Sequence, residues 1–397
     1  MVPNGWSNTC IDDNITFSGG AQPPREVFKF EPEEGYIRLI QIRDYKSDKF
    51  ITYVPKKLAK KFCTADDVMI GRYGPPIFQI LRGIEGAYNV ALIKAIPKSG
   101  VDKEFMYYFL KRDPLLRVIE SFSQRTSGQT GIEMDVLKAY PMHLPPLPEQ
   151  RKIAQILSTW DRGIATTERL IDASKQQKKA LMQQLLTGKK RLVDPETGKA
   201  FEGDWAYVQA GSIFATRSNK KHNSDLPILA ITQDQGAVPR ELIDYNVSVT
   251  QGSIAGYKVV EIGDFIISLR SFQGGIEYSK YKGICSPAYV ILYPKIEISD
   301  DFYKYHLKSF SFIQAMKSRL EGIRDGKIIS YKYFSEIKLP QPSLKEQEKI
   351  ASVLTAADKE IELLEAKLLH LKQEKKALMQ QLLTGKRRVK VDETEAA

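Results

Sequence analysis

Little in this sequence is suited to catalysis or metal binding. Its 397 residues include three cysteines, Cys10, Cys63 and Cys285, and no two of them are close in sequence. Neither a zinc-ligand spacing nor a disulfide framework is therefore written here, and reduced thiols in a cytoplasmic protein are the expectation. Four histidines, His143, His222, His306 and His370, stand apart from one another, as packing or surface residues do. The phosphate loop G-x-x-x-x-G-K-[ST], the dinucleotide loop G-x-G-x-x-G and the nucleophile elbow are all missing. An amino-methyltransferase needs an acid- or amide-Pro-Pro-aromatic turn, and Gly74-Pro75-Pro76-Ile77 has neither end of it. Glu365-Ala366-Lys367 has the spacing of a nuclease half-motif but falls in a stretch patterned as a helix. The longest apolar stretches, 265–269 and 288–293, are strand-sized and far short of the roughly 20 residues that span a bilayer. Residues 1–18 lack the basic-then-apolar order of a secretory signal. No catalytic residue, bound metal or membrane partner is expected.

What is present is a basic charge balance and a repeat. The net charge is +11, distributed as +3 over residues 1–145, +6 over 146–191, +1 over 192–338 and +1 over 339–397. Such a balance fits a polyanionic partner or simple solubility, and charge alone does not choose between them. The repeat is more informative. KKALMQQLLTGK at 178–189 recurs without a change at 375–386. The offset of 197 residues extends upstream without a gap: Glu149-Gln150 falls on Glu346-Gln347, Asp161 on Asp358, Tyr108 on Tyr305 and Asp67 on Asp264. Trp6 and Trp205 open the two copies. The chain is one unit of about 197 residues used twice.

Each copy has two parts. The first is about 140 residues of short β-branched and aromatic runs, such as 36–42, 50–54, 228–231 and 289–293, separated by Gly, Pro and Asp. Helices are predicted over 103–112 and 301–319, which makes the class α+β. The second part is a long helix, announced by proline-rich segments (144–148 and 339–342) and closed by Gly188 and Gly385. Apolar residues in the second helix alternate at spacings of 4 and 3: Ile350, Leu354, Ala357, Ile361, Leu364, Leu368, Leu371, then Lys375, Leu378 and Leu382. The first helix keeps the same frame with Ile153, Leu157, Trp160, Ile164, Ile171, Leu181 and Leu185, with Thr167, Ser174 and Lys178 also on it. Two narrow seams in one chain predict that the helices pair as a coiled coil, with Lys178 and Lys375 as a register device, and two-fold placement of same-direction repeats makes the pair antiparallel. From 149 to 187 is about 58 Å of helix.

The repeat, the prolines before Glu-Gln, and helices that end in K-x-x-L-M-Q-x-L-L-T-G-K resemble the specificity subunit of type I restriction–modification systems. LPPLPEQRKIAQIL at 144–157, LKEQEKIASVL at 344–354 and the duplicated helix ends carry the resemblance, which spans essentially the whole chain. LPQPSLKEQ departs from the compact LPPLPEQ of the first copy. The resemblance implies target-recognition domains at 1–145 and 205–342, spacer helices at 146–188 and 343–385, a linker at 189–204 and a tail at 386–397. It implies that each domain reads one half of a bipartite site in double-stranded DNA and that the helix pair sets the gap. It further implies that the chain carries two methyltransferase subunits, which recruit restriction subunits. S-adenosylmethionine, ATP and Mg would then belong to those partners, and no cofactor to this chain.

Grooves are read by Arg and Lys on guanine, Asn and Gln on adenine, and Ser or Thr on either. Two pairs of corresponding segments are rich in such groups. Gln41, Arg43 and Lys46 face Gln233 in the second copy, and Arg72 and Tyr73 face Arg270, Ser271 and Gln273. Lys220 and Lys221, in a loop with His222 and Asn223, are candidates for phosphates. Two other readings stay open at this point: a non-catalytic coiled-coil scaffold with two ligand-binding domains, and a DNA methyltransferase with degenerate motifs.

Overall fold

The computed structural model describes residues 3–123, 125–126, 129–222, 225–243, 251–269, 271–320 and 330–391. The chain divides into two compact units, Met1–Thr167 with Lys367–Ala397, and Glu168–Ala366. Both combine helix and sheet. Each long helix, Leu147–Leu185 and Leu344–Leu382, is 39 residues long and passes from one unit into the other.

The main sheet has the same strand order in both domains. In the first unit a four-stranded antiparallel sheet runs in the order Ile15–Gly19, Leu92–Pro97, Val68–Gly71, Gln79–Leu81. In the second the order is Phe214–Arg217, Val290–Pro294, Phe265–Ile267, Glu277–Tyr278. Val68 lies opposite Ala95, and Phe265 opposite Leu292, so the sequence offset carries through into the register. A hairpin of Tyr36–Ile40 with Tyr53–Pro55 corresponds to one of Leu229–Thr232 with Gly236–Pro239. The first strand of each domain pairs with the strand before its long helix: Ser7–Cys10 with Pro141–Leu144, and Ala206–Gln209 with Lys338–Gln341.

Several elements differ from the sequence expectation for local reasons. The run at 50–54 becomes a strand only from Tyr53, because Ser47 caps a 3₁₀ turn over Asp48–Phe50 by accepting the Lys49 N–H at 3.1 Å. The helix predicted over 103–112 ends at Leu110, and a second helix, Asp113–Phe122, starts with Pro114 in its first turn, where a missing N–H is harmless. The helix predicted over 301–319 is two, Asp300–His306 and Phe310–Leu320. Ser309 interrupts it by accepting the Phe312 N–H.

Each unit's core takes the leading part of one long helix and the trailing part of the other. Phe105, Tyr108, Ile153, Leu157, Leu382 and Leu383 cluster in the first unit. Phe302, Tyr305, Ile350, Leu354, Leu185 and Leu186 cluster in the second. Within each unit the two helix segments run antiparallel. Going up from Glu149 to Asp161 on one segment, the partner goes down from Arg388 to Lys375. In the second unit Glu346 and Asp358 face Arg191 and Lys178 in the same way. The seam positions are buried or half-buried in both helices, with Ile171 and Ile361 among the buried.

Residues shared by the two copies fasten the helices to the domains. Glu149 accepts from Trp6 Nε1 at 3.0 Å and from Arg388 Nε and Nη2, both at 2.7 Å. Glu346 accepts from Trp205 Nε1 at 3.0 Å, Arg191 Nε at 2.6 Å and Arg191 Nη2 at 2.8 Å. Gln150 and Gln347, the next residues, bond the backbone of their own domains: each side-chain oxygen accepts an N–H, from Asp102 at 2.8 Å and from Ser299 at 3.0 Å. One face further along, Asp161 accepts from Tyr108 Oη at 2.7 Å and from the Lys375 ammonium. Asp358 does the same with Tyr305 Oη at 2.6 Å and Lys178. Lys178 and Lys375 therefore have matching carboxylate partners, which explains a cation at each of these seam positions. The Glu-Gln motif is explained by anchoring rather than by chemistry on a substrate.

Candidate nucleic-acid interface

The segments singled out for DNA contact lie at corresponding places in the two domains. Residues 41–52 join the strands of the first hairpin and 233–235 those of the second. Residues 72–78 follow the strand Val68–Gly71, and 268–276 follow Phe265–Ile267. In each unit the structure brings the two segments together. A Cβ added at Gly71 would meet Ile42 Cδ1 at 3.3 Å, and one at Gly274 would meet Gln233 Cδ at 2.8 Å. The glycine at 274 thus lets the second pair of loops pack closely.

The individual candidates differ in how committed they are to the protein itself. In the first domain the Gln41 amide donates to Thr52 Oγ1 at 3.0 Å. Arg43 Nη2 donates to the Phe50 carbonyl at 3.2 Å, with the guanidinium over the Phe50 ring. Lys46 is exposed. Arg72 is half-buried and stacks on Tyr73, which bridges to Gly131. In the second domain Gln233 and Gln273 are exposed. Ser271 is buried, and its hydroxyl accepts the Ser268 N–H at 2.8 Å, so it holds the turn in place. Lys220 and Lys221 are exposed on another part of the domain, where Lys221 lines a cleft with Glu261 and Lys282. Arg270 and Asn223 lie outside the described residues.

Buried charges lie beside these loops. Asp44 is buried beside Arg38 Nε at 3.7 Å and Arg43 Nε at 3.9 Å. Burial pushes its carboxyl above the ordinary range, against the Gln41 N–H and the two arginines. Lys308 reaches the Gln233 carbonyl at 2.8 Å and the buried Glu277 at 2.6 Å, and burial pushes Glu277 up to about 7 in spite of that ammonium. Among the described residues, buried polar side-chain atoms without a hydrogen-bond partner gather here: Arg38 Nε, Asp44 Oδ1, Tyr45 Oη, Arg72 Nε and Arg240 Nη1. Nδ1 of His143 and of His306 lie elsewhere. Each such atom costs about 1–3 kcal/mol, a cost that a ligand with complementary groups removes.

Loop composition did not point to Arg240 or Ser268. They line a cleft of about 590 Å³ with Thr232, Gln233 and Asp234. Arg240 stands alone after a strand-ending proline, and only the folded hairpin brings it to the loop.

Comparison with known proteins identifies the family and the fold. The family model described as type I restriction modification DNA specificity domain matches twice, over residues 3–175 and 202–373. The type I restriction enzyme MjaVIII specificity subunit of Methanocaldococcus jannaschii is 28% identical over 419 residues, covering 98% of this chain and 94% of its own. A putative MjaX specificity subunit of the same organism is 28% identical over 335 residues, covering 80% and 74%. Among solved structures, the S subunit of a type I restriction–modification system from M. genitalium superposes with a TM-score of 0.57 at 16% identity, over 96% of this chain and 97% of that one. A chain from a structure of type I R-M complex assembly and conformational transition gives 0.60 at 18% identity, over 98% and 100%. These structures share the fold, and the family model spans most of the sequence: the chain belongs to the type I restriction–modification DNA specificity domain family and carries that domain twice.

Proposed function

We propose that this chain is the specificity subunit of a type I restriction–modification complex, in which each domain reads one half of a bipartite site in double-stranded DNA. The observation that carries the reading is the contrast inside the repeat. Residues identical in the two copies fasten the helices, whereas the hairpin ends differ in residue type and loop length and hold unsatisfied polar groups. Differing ends on a common frame suit two different half-sites.

The candidate readers are Gln41, Arg43, Lys46, Arg72 and Tyr73 in domain one, and Gln233, Arg270 and Gln273 in domain two, with Ser271 positioning its turn. Lys220 and Lys221 suit phosphate contact. The domains span 1–145 and 205–342. The paired helices set the gap between half-sites and carry two methyltransferase subunits. Those bring S-adenosylmethionine, and restriction subunits bring ATP and Mg-dependent chemistry. This chain alone neither methylates nor cleaves.

The experiment is to replace residues 6–140 with the first domain of another family member. Methylated sites are then sequenced in the presence of the cognate methyltransferase. One half-site should change while the other stays the same; a change in both, or in neither, overturns independent reading. Adding one heptad to both helices lengthens each by about 10.5 Å and should widen the gap by about three base pairs. An unchanged gap with normal activity would remove the helices as the ruler.

A further inference from the structure

We infer that Arg240 is a specificity-determining residue of the second domain and reads the guanine of a G·C pair. The inference rests on the DNA-reading function proposed above and adds a residue that the loop composition did not suggest. Arg240 follows the strand Gly236–Pro239, and its backbone N–H is fixed by the Ile228 carbonyl at 2.9 Å. Its side chain lines the cleft with Thr232, Gln233, Asp234 and Ser268. The residue is half-buried, and its Nη1, closed off from water, has no hydrogen-bond partner.

A guanidinium normally finds acceptors for its donors inside a protein, and Asp234 lines the same cleft without forming an ion pair with it. A donor left unpaired in this way gains free energy when the side chain turns into the cleft and meets an acceptor there. A guanine edge supplies two, O6 and N7, at the spacing of the guanidinium fork, and its paired cytosine presents an amino group that a carboxylate such as Asp234 accepts. The lining thus suits both edges of one G·C pair. A bare phosphate would satisfy Arg240 but not sit well beside Asp234, whose charge repels it.

The first unit provides an internal control. Its hairpin also ends in a proline followed by a basic residue, Pro55-Lys56, and both positions begin a 3₁₀ turn. Lys56 is exposed, and a lysine offers a point charge rather than a fork. Base reading by this position is therefore assigned to the second domain alone.

The test compares the full-length chain with Arg240→Lys and Arg240→Gln in selection from a randomised duplex library, with the salt dependence of binding measured alongside. Arg240→Lys introduces the residue the first unit carries at this place, so the hairpin accommodates it. Both variants should lose preference at a single G·C position by roughly 5- to 150-fold, leaving the other half-site unchanged. Arg240→Lys should keep the salt slope of the parent. A uniform loss over all sequences with a shallower slope would mark a phosphate contact and overturn the inference. So would an unchanged preference profile in a variant that melts like the parent. If the parent chain itself shows no sequence preference, the broader reading fails; if it does and the G·C position is unmoved, only Arg240 fails.

Discussion

Asp67 and Asp264 hold the same place in the two domains, one residue before a central strand, and each accepts a backbone N–H, from Thr64 at 2.9 Å and Glu261 at 2.8 Å. Their surroundings are opposite. Burial works against the charge of Asp67, but hydrogen bonds from Lys94, Thr64 and Lys103 outweigh it and bring the carboxyl down to about 2. Asp264 has Arg217 at 3.4 Å and a side chain only 2% exposed, and burial pushes it up to about 6. Ile291 and Asp300 stand where the first copy has its two lysines. Phe109 and His306 form a second such pair: where one domain buries a phenylalanine, the other buries an imidazole stacked on Phe302. Against this variation, the Trp–Glu–Arg and Tyr–Asp–Lys attachments are the same in both copies. The backbone sets the hydrogen bond at the start of the strand, while the neighbours that tune it are free to change. The attachments are not free, because each joins segments that must stay complementary.

The largest expected effect is on an attachment. Glu346→Ala leaves the Trp205 N–H without its acceptor and the partly buried Arg191 with backbone carbonyls but no carboxylate, and should cost the second unit about 3 kcal/mol. Glu149→Ala should cost the first unit less, because the Arg388 side chain is 44% exposed against 23% for Arg191. Amide hydrogen exchange resolved by unit checks both; equal losses, or losses spread over both units, would break the comparison.

Next comes His306. Burial pushes its imidazole down to about 4, below the 6.5 of an unperturbed histidine. Its contribution is complete above pH 6.5 and is lost as pH falls toward 4. His306→Phe, the residue of the first copy, should therefore leave stability at pH 8 nearly unchanged and protect the second unit in acid by up to about 3 kcal/mol. Urea unfolding at pH 8 and pH 4.5 reads the difference.

The aspartates should respond with opposite signs. Asp264 has a folded value above the unfolded one, so its charge costs stability above pH 6, and that cost fades as pH falls to 3.8. Asp264→Asn should stabilise the second unit at pH 8 by about 1–3 kcal/mol. Asp67 is depressed, so its contribution is complete above 3.8 and lost as pH falls toward 2. Asp67→Asn should cost the first unit about 2 kcal/mol at neutral pH. Changes of one sign in both would show that the lysines at 94 and 103 do not set the difference.

The smallest effect sharpens the comparison at the helix ends. Gly188 and Gly385 both have left-handed φ, +71° and +68°. Alanine at either should cost about 1–2 kcal/mol from the backbone alone. Gly385→Ala should exceed Gly188→Ala, because its Cβ would stand 2.3 Å from Pro3 Cγ, whereas the nearest atom at 188 is Trp205 Cδ2 at 3.3 Å. Equal changes in melting temperature would overturn that ordering.

Reading the chain alone was enough for the duplication, the family resemblance, the two long helices and the α+β class. Those signals are periodic or literal: a 197-residue offset, a 4-and-3 spacing, a proline before and a glycine after. Even the two matched loop segments were legible, because residue type and position within the copy mark them. Partners and contacts were not legible. Arg388 meets Glu149 from 239 residues away, and Lys178 meets Asp358 from 180. The break at Ser309 depends on one hydroxyl taking a backbone N–H, and Arg240 comes to the loop only once its hairpin has closed. Periodicity is a property of neighbours along the chain. Which unpaired donor ends up in which cleft depends on packing between segments far apart in sequence, and that was decided only by the fold.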